Sequence, residues 1–306
     1  MKIAVIGSGG VGGYLGGMLA LAGYEVTFVA RGAHLRAMRT RGLYIERHAG
    51  ETLSIAPVDA TDDPREIGTA DLILLTVKSY DLLPLLDEIA VLVGPDTTVV
   101  TLQNGVEAPQ MVATTLGPST ILPGLVYSEV SIKEPGTIMQ GSAVSRVILG
   151  ELDGSLTERI QQIKAAFLAA TINVTLSTNI LGALWNKFCF ICAMGGVTTL
   201  TRQTLGAILS DPEGRMLLET VMTEVRALGQ SYDIRFDEDP VAAGMATAER
   251  FDPDAKSSML RDLERGSRLE LEALNGAAVR LARAHQIEVP ANHAIYTAIR
   301  LLQLAS

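Results

Sequence analysis

Residues 1–31 read MKIAVIGSGGVGGYLGGMLALAGYEVTFVAR, and this stretch decides the fold. Lys2-Ile-Ala-Val-Ile6 is a short apolar run, and Gly7-Ser8-Gly9-Gly10-Val11-Gly12 follows at once. An Ala/Leu/Met/Gly-rich run continues from Gly13 to Ala22, and after Gly23 a second apolar strand, Glu25-Val-Thr-Phe-Val-Ala30, ends at Arg31. Strand, G-x-G-x-x-G turn, helix and strand in this order form the βαβ unit that binds dinucleotides. Each glycine has a physical task. Gly7 permits the tight turn out of the strand, Gly9 lets a pyrophosphate approach bare backbone, and Gly12 lets the helix pack close to the sheet. The backbone of Ser8, Gly10 and Val11 completes the loop, so that phosphates rest on a helix N-terminus whose free N–H groups and dipole favour anions. The competing reading is a glycine-rich turn with no nucleotide. It leaves unexplained the strand before the turn, the helix after it and the second strand.

The end of the second strand points to one cofactor. Enzymes that use NAD place an acid there to hold the ribose 2′-hydroxyl. Here the positions are Ala30 and Arg31, with Arg36 close behind. An acid would repel a 2′-phosphate, whereas a guanidinium forks onto it. The expectation is therefore NADP(H) with Arg31 on the 2′-phosphate; the alternative for Arg31 is a solvated loop charge.

A length of 306 residues suggests two domains. A hydrophobic content of 48% and a mean hydropathy of +0.28 indicate a well-filled core. The net charge of −9 and pI near 5.0 argue against nucleic acid or an anionic membrane as partner. No apolar run is read as long enough to span a membrane, and the N-terminal strand lacks a signal-peptide layout, so the expected location is cytoplasmic. Cys189 and Cys192 form a C-x-x-C pair inside an apolar run with no histidine nearby in sequence. A redox pair or half a zinc site is the functional reading. Without a second ligand pair, buried core thiols are the expectation, and no metal site is expected.

Further along, a helix is expected over 33–40, ended by Gly42, then short strands at Leu43–Ile45 and Thr52–Ile55. Asp71–Val77 and Thr97–Leu102 are apolar strands suited to a buried parallel sheet. They end in Lys78 and in Gln103-Asn104-Gly105, at the carboxyl ends where open α/β sheets bind ligands. A helix-start charge and a plain turn are the competing readings for Lys78 and Asn104. A helix over 81–91 lies between the two strands. Residues 120–150 carry strand patterns with turns at Glu134-Pro-Gly136 and Gln140-Gly141, and 158–169 and 172–176 read as helix and strand. From Ser177 onward helical periodicity takes over, over about 179–194, 203–209, 213–229, 239–249, 256–265, 269–285 and 291–303. The expected domains are 1–177 and 178–306.

Within the helix near Asn179, Lys187 is one cation in an otherwise apolar segment. It either snorkels to water or is tuned by desolvation as a general acid, since hydride attack on a carbonyl leaves an alkoxide that needs a proton. Ser267 and Glu270 have the spacing of a capping box. Ser258 and Glu270 would stand about 18 Å apart on one straight helix, but a break at Gly266 can bring both toward one ligand.

Taken together, Gly7-x-Gly9-x-x-Gly12, Arg31, Thr76-Val-Lys78, Gln103-Asn104-Gly105, Trp185-x-Lys187, Ser257-Ser-Met259 with Asp262, and Glu270 with Asn275-Gly276 resemble the 2-dehydropantoate 2-reductase (ketopantoate reductase) family end to end. That resemblance implies an α/β fold, with an N-terminal Rossmann-type dinucleotide-binding domain and an all-helical C-terminal domain, the substrate and nicotinamide meeting in the cleft. It implies NADPH-dependent reduction of the keto group of 2-dehydropantoate, on the route to pantothenate. Lys187 would be the general acid and Glu270 would hold the reacting carbonyl or hydroxyl end. Ser258 would bind the substrate carboxylate, Asn104 would sit between nicotinamide and substrate, and Lys78 would lie by the cofactor ribose and substrate. In that family asparagines typically stand four and eight residues after the lysine. Here those substrate-facing positions are Ile191 and Gly195.

The sequence thus leads to reduction of a small-molecule 2-oxo acid, with 2-dehydropantoate first. A paralogous reductase of another 2-oxo acid or carbonyl compound is the first rival, and a non-catalytic NADP(H)-binding regulatory protein the second. Neither nucleic acid nor membrane is an expected partner, and the apolar helices offer faces for a homodimer.

Overall fold

A computed structural model describes residues 1–304. The chain divides into two units, Met1–Gln103 with Ala108–Ile180, and Asn104–Glu107 with the residues from Leu181 onward. The short run Asn104–Glu107, expected within the first domain, belongs to the second unit.

In the first unit, β1 (Lys2–Ile6), α1 (Gly10–Leu21), β2 (Glu25–Val29), α2 (Gly32–Arg41), β3 (Leu43–Glu46), β4 (Thr52–Ile55) and β5 (Asp59–Thr61) follow one another. They are succeeded by β6 (Ala70–Leu75), α3 (Ser79–Ile89), β7 (Val93–Thr101), α4 (Ala108–Leu116), β8 (Ile121–Glu134), β9 (Thr137–Leu149), α5 (Glu158–Ala169) and β10 (Val174–Leu176). The sheet order is β4-β3-β9-β8-β7-β6-β1-β2-β5, with β10 on β9. Its portion β5-β2-β1-β6-β7-β8 is all parallel, which is the 3-2-1-4-5-6 order of the doubly wound dinucleotide fold. Strand β1 therefore sits at the switch point, and its carboxyl end delivers the glycine turn there.

Alternation along β1 builds both sides of the sheet. Ile3 and Val5 pack with Leu15 and Leu19 of α1, while Ala4 and Ile6 pack with Leu82 and Leu86 of α3. Ile3, Ala4, Val5 and Ile6 are all fully buried, so after Lys2 the strand is apolar without a break.

The second unit is helical: α6 (Ile180–Thr201), α7 (Leu205–Ser210), α8 (Pro212–Ser231), α9 (Pro240–Ala248), α10 (Ser258–Glu264), α11 (Asn275–Ala284) and α12 (Pro290–Leu304). Among the described residues no strand lies beyond Leu176. Side-chain caps set the starts of several helices: Thr204, Asp211, Asp239 and Ser257 each accept from a backbone N–H of the first turn.

Four expectations need correction. Helix α6 runs through Gly195-Gly196 to Thr201, because tertiary packing fills the space beside the glycines: a Cβ on Gly196 would lie 2.8 Å from both Asn275 Oδ1 and Ile295 Cγ2. That makes α6 long and apolar enough to cross a membrane by length and composition, contrary to the sequence reading, yet 78% of its apolar window is buried inside the protein. Gln140-Gly141 is not a turn but lies within β9, where the register against β8 shifts between Ser128 and Val130. The helix expected over 269–285 starts only at Asn275, preceded by a 3-10 turn over Leu271–Ala273.

Candidate active site

The glycine loop has the geometry its sequence implies. Gly7 has φ +98°, a left-handed value that a side chain would strain, and a Cβ there would also lie 2.6 Å from Val77. A Cβ on Gly12 would lie 2.3 Å from the Gly7 carbonyl oxygen, so α1 touches the strand end through a missing side chain. By contrast, a Cβ on Gly9 would meet nothing within 4 Å, which leaves open space in front of α1. Gly9 is the N-cap of α1 and supplies no side-chain cap, so no cap engages the first-turn N–H groups. This open, uncapped helix start suits a pyrophosphate.

Ser8 is buried and its hydroxyl donates to the Val29 carbonyl at 3.0 Å, tying the loop to the end of β2. Gly10 packs its Cα side against the Val130 carbonyl of β8, and Val11 packs against the core of the same unit. Thr76, quoted above only as part of a motif, fastens the turn from the other side. Its hydroxyl lies 2.8 Å from the Gly7 carbonyl oxygen and 3.2 Å from that of Ile6. Only the strand order, which makes β6 the neighbour of β1, reveals this role.

Arg31 stands exposed at the N-cap of α2, beyond β2, with Glu88 at 4.0 Å. A pair this exposed and this long is worth about 0–1 kcal/mol, less than a charge-assisted guanidinium–phosphate fork. Lys78 is the half-buried N-cap residue of α3, at the carboxyl end of β6.

Three other candidates meet within the second unit. Lys187 on α6 is buried, and its Nζ donates to Asn104 Oδ1 at 3.0 Å. Asn104 Nδ2 in turn faces Glu270 Oε2 at 3.4 Å. The amide therefore stands between the ammonium and the carboxylate. Burial pushes the Lys187 ammonium down to about 8, with the Glu270 carboxylate pulling the other way. The lysine does not snorkel.

Local structure holds the other two residues. A Cβ on Gly105 would lie 2.7 Å from the Ala273 carbonyl oxygen, so the Asn104-Gly105 turn abuts the 3-10 turn that follows Glu270. Arg280 ties the same two segments, donating to Glu107 at 2.8 Å and to the Glu272 carboxylate at 2.9 Å. Glu270 makes no side-chain cap, and the Ser267 N–H is used by the Asp262 carbonyl at 2.8 Å, so the capping-box spacing has no structural counterpart. Helix α10 ends instead with Gly266 at φ +65° and the paired bonds Gly266 N–H to Leu263 and Ser267 N–H to Asp262, a Schellman stop.

Ser258 is exposed at the first position of α10 and is not part of the Lys187–Asn104–Glu270 bonds. Its buried neighbour Ser257 caps the helix, accepting from the Leu260 N–H at 3.0 Å. Ile191 is half-buried and Gly195 buried, both on α6. Cys189 and Cys192 are buried free thiols; desolvation pushes Cys189 up to about 12 and Cys192 well above the usual thiol range. Burial thus keeps both in the thiol form.

The doubly wound sheet and its open glycine loop place the chain among proteins of the dinucleotide-binding class, and the helical unit adds a buried lysine. Comparison with known proteins narrows the class. Residues 3–154 match the family described as ketopantoate reductase PanE/ApbA, and residues 179–303 match its C-terminal domain. The 2-dehydropantoate 2-reductase of Mesorhizobium japonicum is 34% identical over 99% of this chain and 98% of its own. A PanE/ApbA family ketopantoate reductase structure from Ralstonia eutropha superposes with TM-score 0.92 at 31% identity, covering 100% of this chain and 99% of that one. A D-mandelate dehydrogenase solved with NADH and anilino(oxo)acetate shares the fold at TM-score 0.91 and 22% identity, covering 100% and 99%. The chain belongs to the ketopantoate reductase family.

Proposed function

We propose that the protein reduces the keto group of a 2-oxo acid with NADPH, giving the 2-hydroxy acid. The observation that carries this reading is the buried Lys187, held by Asn104 beside Glu270 and lowered to about 8. A general acid works best when its pKa lies near the working pH.

A bound NADPH would supply the hydride for the C2 carbonyl carbon. The residues of the chain do the rest. Lys187 gives a proton to the carbonyl oxygen as negative charge develops there, and is left neutral, a state its buried surroundings tolerate. Asn104 orients the ammonium, and Glu270 accepts from the hydroxyl that forms. Ser258 binds the substrate carboxylate. Gly7, Ser8, Gly9, Gly10, Val11 and Gly12 would cradle the pyrophosphate, Lys78 would lie by the ribose, and Arg31 would take the 2′-phosphate. The absence of an acid after β2 supports NADPH over NADH.

Among 2-oxo acids, 2-dehydropantoate is the first reading, because the Mesorhizobium relative bears that name. A paralogous reductase is the second, favoured by Ile191 and Gly195. A cytoplasmic homodimer belongs to the same reading, and sedimentation tests the dimer.

The test is NADPH oxidation across a panel of 2-oxo acids, with wild type and Lys187→Ala side by side. Turnover that the variant lacks is the expected result. NADPH binding without turnover of any member would sink the catalytic reading and leave a regulatory NADP(H)-binding protein.

A further inference from the structure

We propose that the site selects 2-oxo acids with an apolar substituent on C3, and gives no hydrogen bond to a hydroxyl there. The proposal rests on the 2-oxo acid reduction set out above, and within it favours the second reading, a paralogous reductase, over 2-dehydropantoate.

The face of α6 that carries Lys187 is continuous, because the helix runs unbroken to Thr201. Residues four, seven, eight and eleven positions on share that face: Ile191, Met194, Gly195 and Thr198. The first three bring no side-chain donor. The space beside Gly195 is taken by apolar ends, since a Cβ there would lie 3.3 Å from Leu274 Cδ1 and 3.5 Å from Met259 Cε. Leu274 and Met259 are themselves buried. Neither Ile191 nor the pair beside Gly195 can pair with a substrate hydroxyl.

The protons of the hydroxyls closest along this face are already committed. Thr198 is fully buried, with its Oγ1 at 2.6 Å from the Met194 carbonyl oxygen and at 2.7 Å from Ser257 Oγ. Each hydroxyl has one proton. Thr198 gives its proton to the Met194 carbonyl, and Ser257 gives its own to Thr198 while accepting from the Leu260 N–H. The Asn104 amide is engaged on both sides, by Lys187 and Glu270.

Magnitudes make this decisive. A site built to bind a hydroxyl rejects the analogue lacking it by roughly 10⁴–10⁵, whereas an apolar site disfavours the added hydroxyl by only about 10². The informative pair is 2-dehydropantoate and 3,3-dimethyl-2-oxobutanoate, which share a skeleton and differ by that one oxygen. We expect the deoxy compound to have a kcat/KM equal to that of 2-dehydropantoate or higher, by up to about a hundredfold. A preference for 2-dehydropantoate overturns the proposal. Ile191→Asn should move the ratio toward 2-dehydropantoate by at least about tenfold; an unchanged ratio also overturns it. Calorimetric affinities of the same pair in the presence of NADP⁺ carry the comparison independently of turnover. If neither compound is reduced but the deoxy acid binds at least as tightly, the catalytic reading fails and the apolar selectivity stands. Tighter binding of 2-dehydropantoate overturns the selectivity alone.

Discussion

Lys187 and Asn104 are joined by a 3.0 Å hydrogen bond across 83 positions of sequence, and the donor is an ammonium lowered to about 8. As the acid in reduction, Lys187 must be protonated. The kcat/KM for reduction should therefore fall as pH rises through about 8. Asn104→Asp places an anion against the ammonium, which favours its charged form. The falling limb of the pH–rate profile should move upward in this variant. A limb that stays put would remove Lys187 as its source.

The same lysine carries a stability cost. Its folded-state pKa, about 8, lies below the ordinary lysine value of 10.5. The unfolded chain thus holds more protons between those two values, and stability rises with pH across that window. Below it, burying the ammonium costs roughly 3 kcal/mol. Lys187→Met should unfold at higher urea concentration than wild type at pH 7 while losing reduction by about 10²–10⁴.

Gly9 and Gly12 should respond in opposite ways to a single methyl group. Gly12→Ala drives a Cβ into the Gly7 carbonyl, and should lower stability by about 1–3 kcal/mol. Gly9→Ala meets no atom, and its φ of −70° suits alanine. This variant should melt like wild type yet bind NADPH at least about tenfold more weakly. Calorimetry and thermal melts on the two variants separate fold from binding.

Arg31→Ala should weaken NADPH by about tenfold to a hundredfold, the value of a hydrogen bond to a charged group. NADH, which has no 2′-phosphate, should bind as before. Equal losses for both dinucleotides would take Arg31 off the phosphate.

Asn275 is fully buried and donates to Asn292 Oδ1 at 2.9 Å and to the Cys192 carbonyl at 3.2 Å. Asn292 continues to Glu224, whose carboxylate accepts from the Ala291 and Asn292 N–H groups at the start of α12. Asn275→Ala strands buried partners and should cost about 1–3 kcal/mol in urea unfolding. Gly196→Ala, pressing on the same amide, should destabilise in the same direction.

Much of the first unit is legible because its signals are local. The apolar run Lys2–Ile6 stops at Gly7, and α5 is announced by the Thr157 cap and carries the bounds expected for it. What escaped depends on distant partners. Strand β5 is three residues, Asp-Ala-Thr, and exists by pairing with β2. Helix α4 carries Pro109 and the β-branched pair Thr114-Thr115, weak helix formers that packing overrides. The passage of α6 through two glycines is set by Asn275, Ile295 and Leu274, far along the chain. At the candidate site, residue types and glycine spacing could be read directly. The grouping of Asn104 with Lys187 and Glu270, the fastening of Gly7 by Thr76 and the silence of the Ser267–Glu270 spacing could not, because each is a matter of tertiary approach.

The excursion of Asn104–Glu107 into the second unit limits how this protein can be cut and recombined. A fragment beginning at Leu181 would encode Lys187 and Glu270 but leave behind the amide that bridges them and the Glu107 carboxylate that Arg280 grips. A chimera spliced near residue 180 would pair one parent's lysine with the other parent's amide. Exchange of the C-terminal half between relatives is therefore not a modular event: the acid travels with one gene segment and its bridging partner with the other.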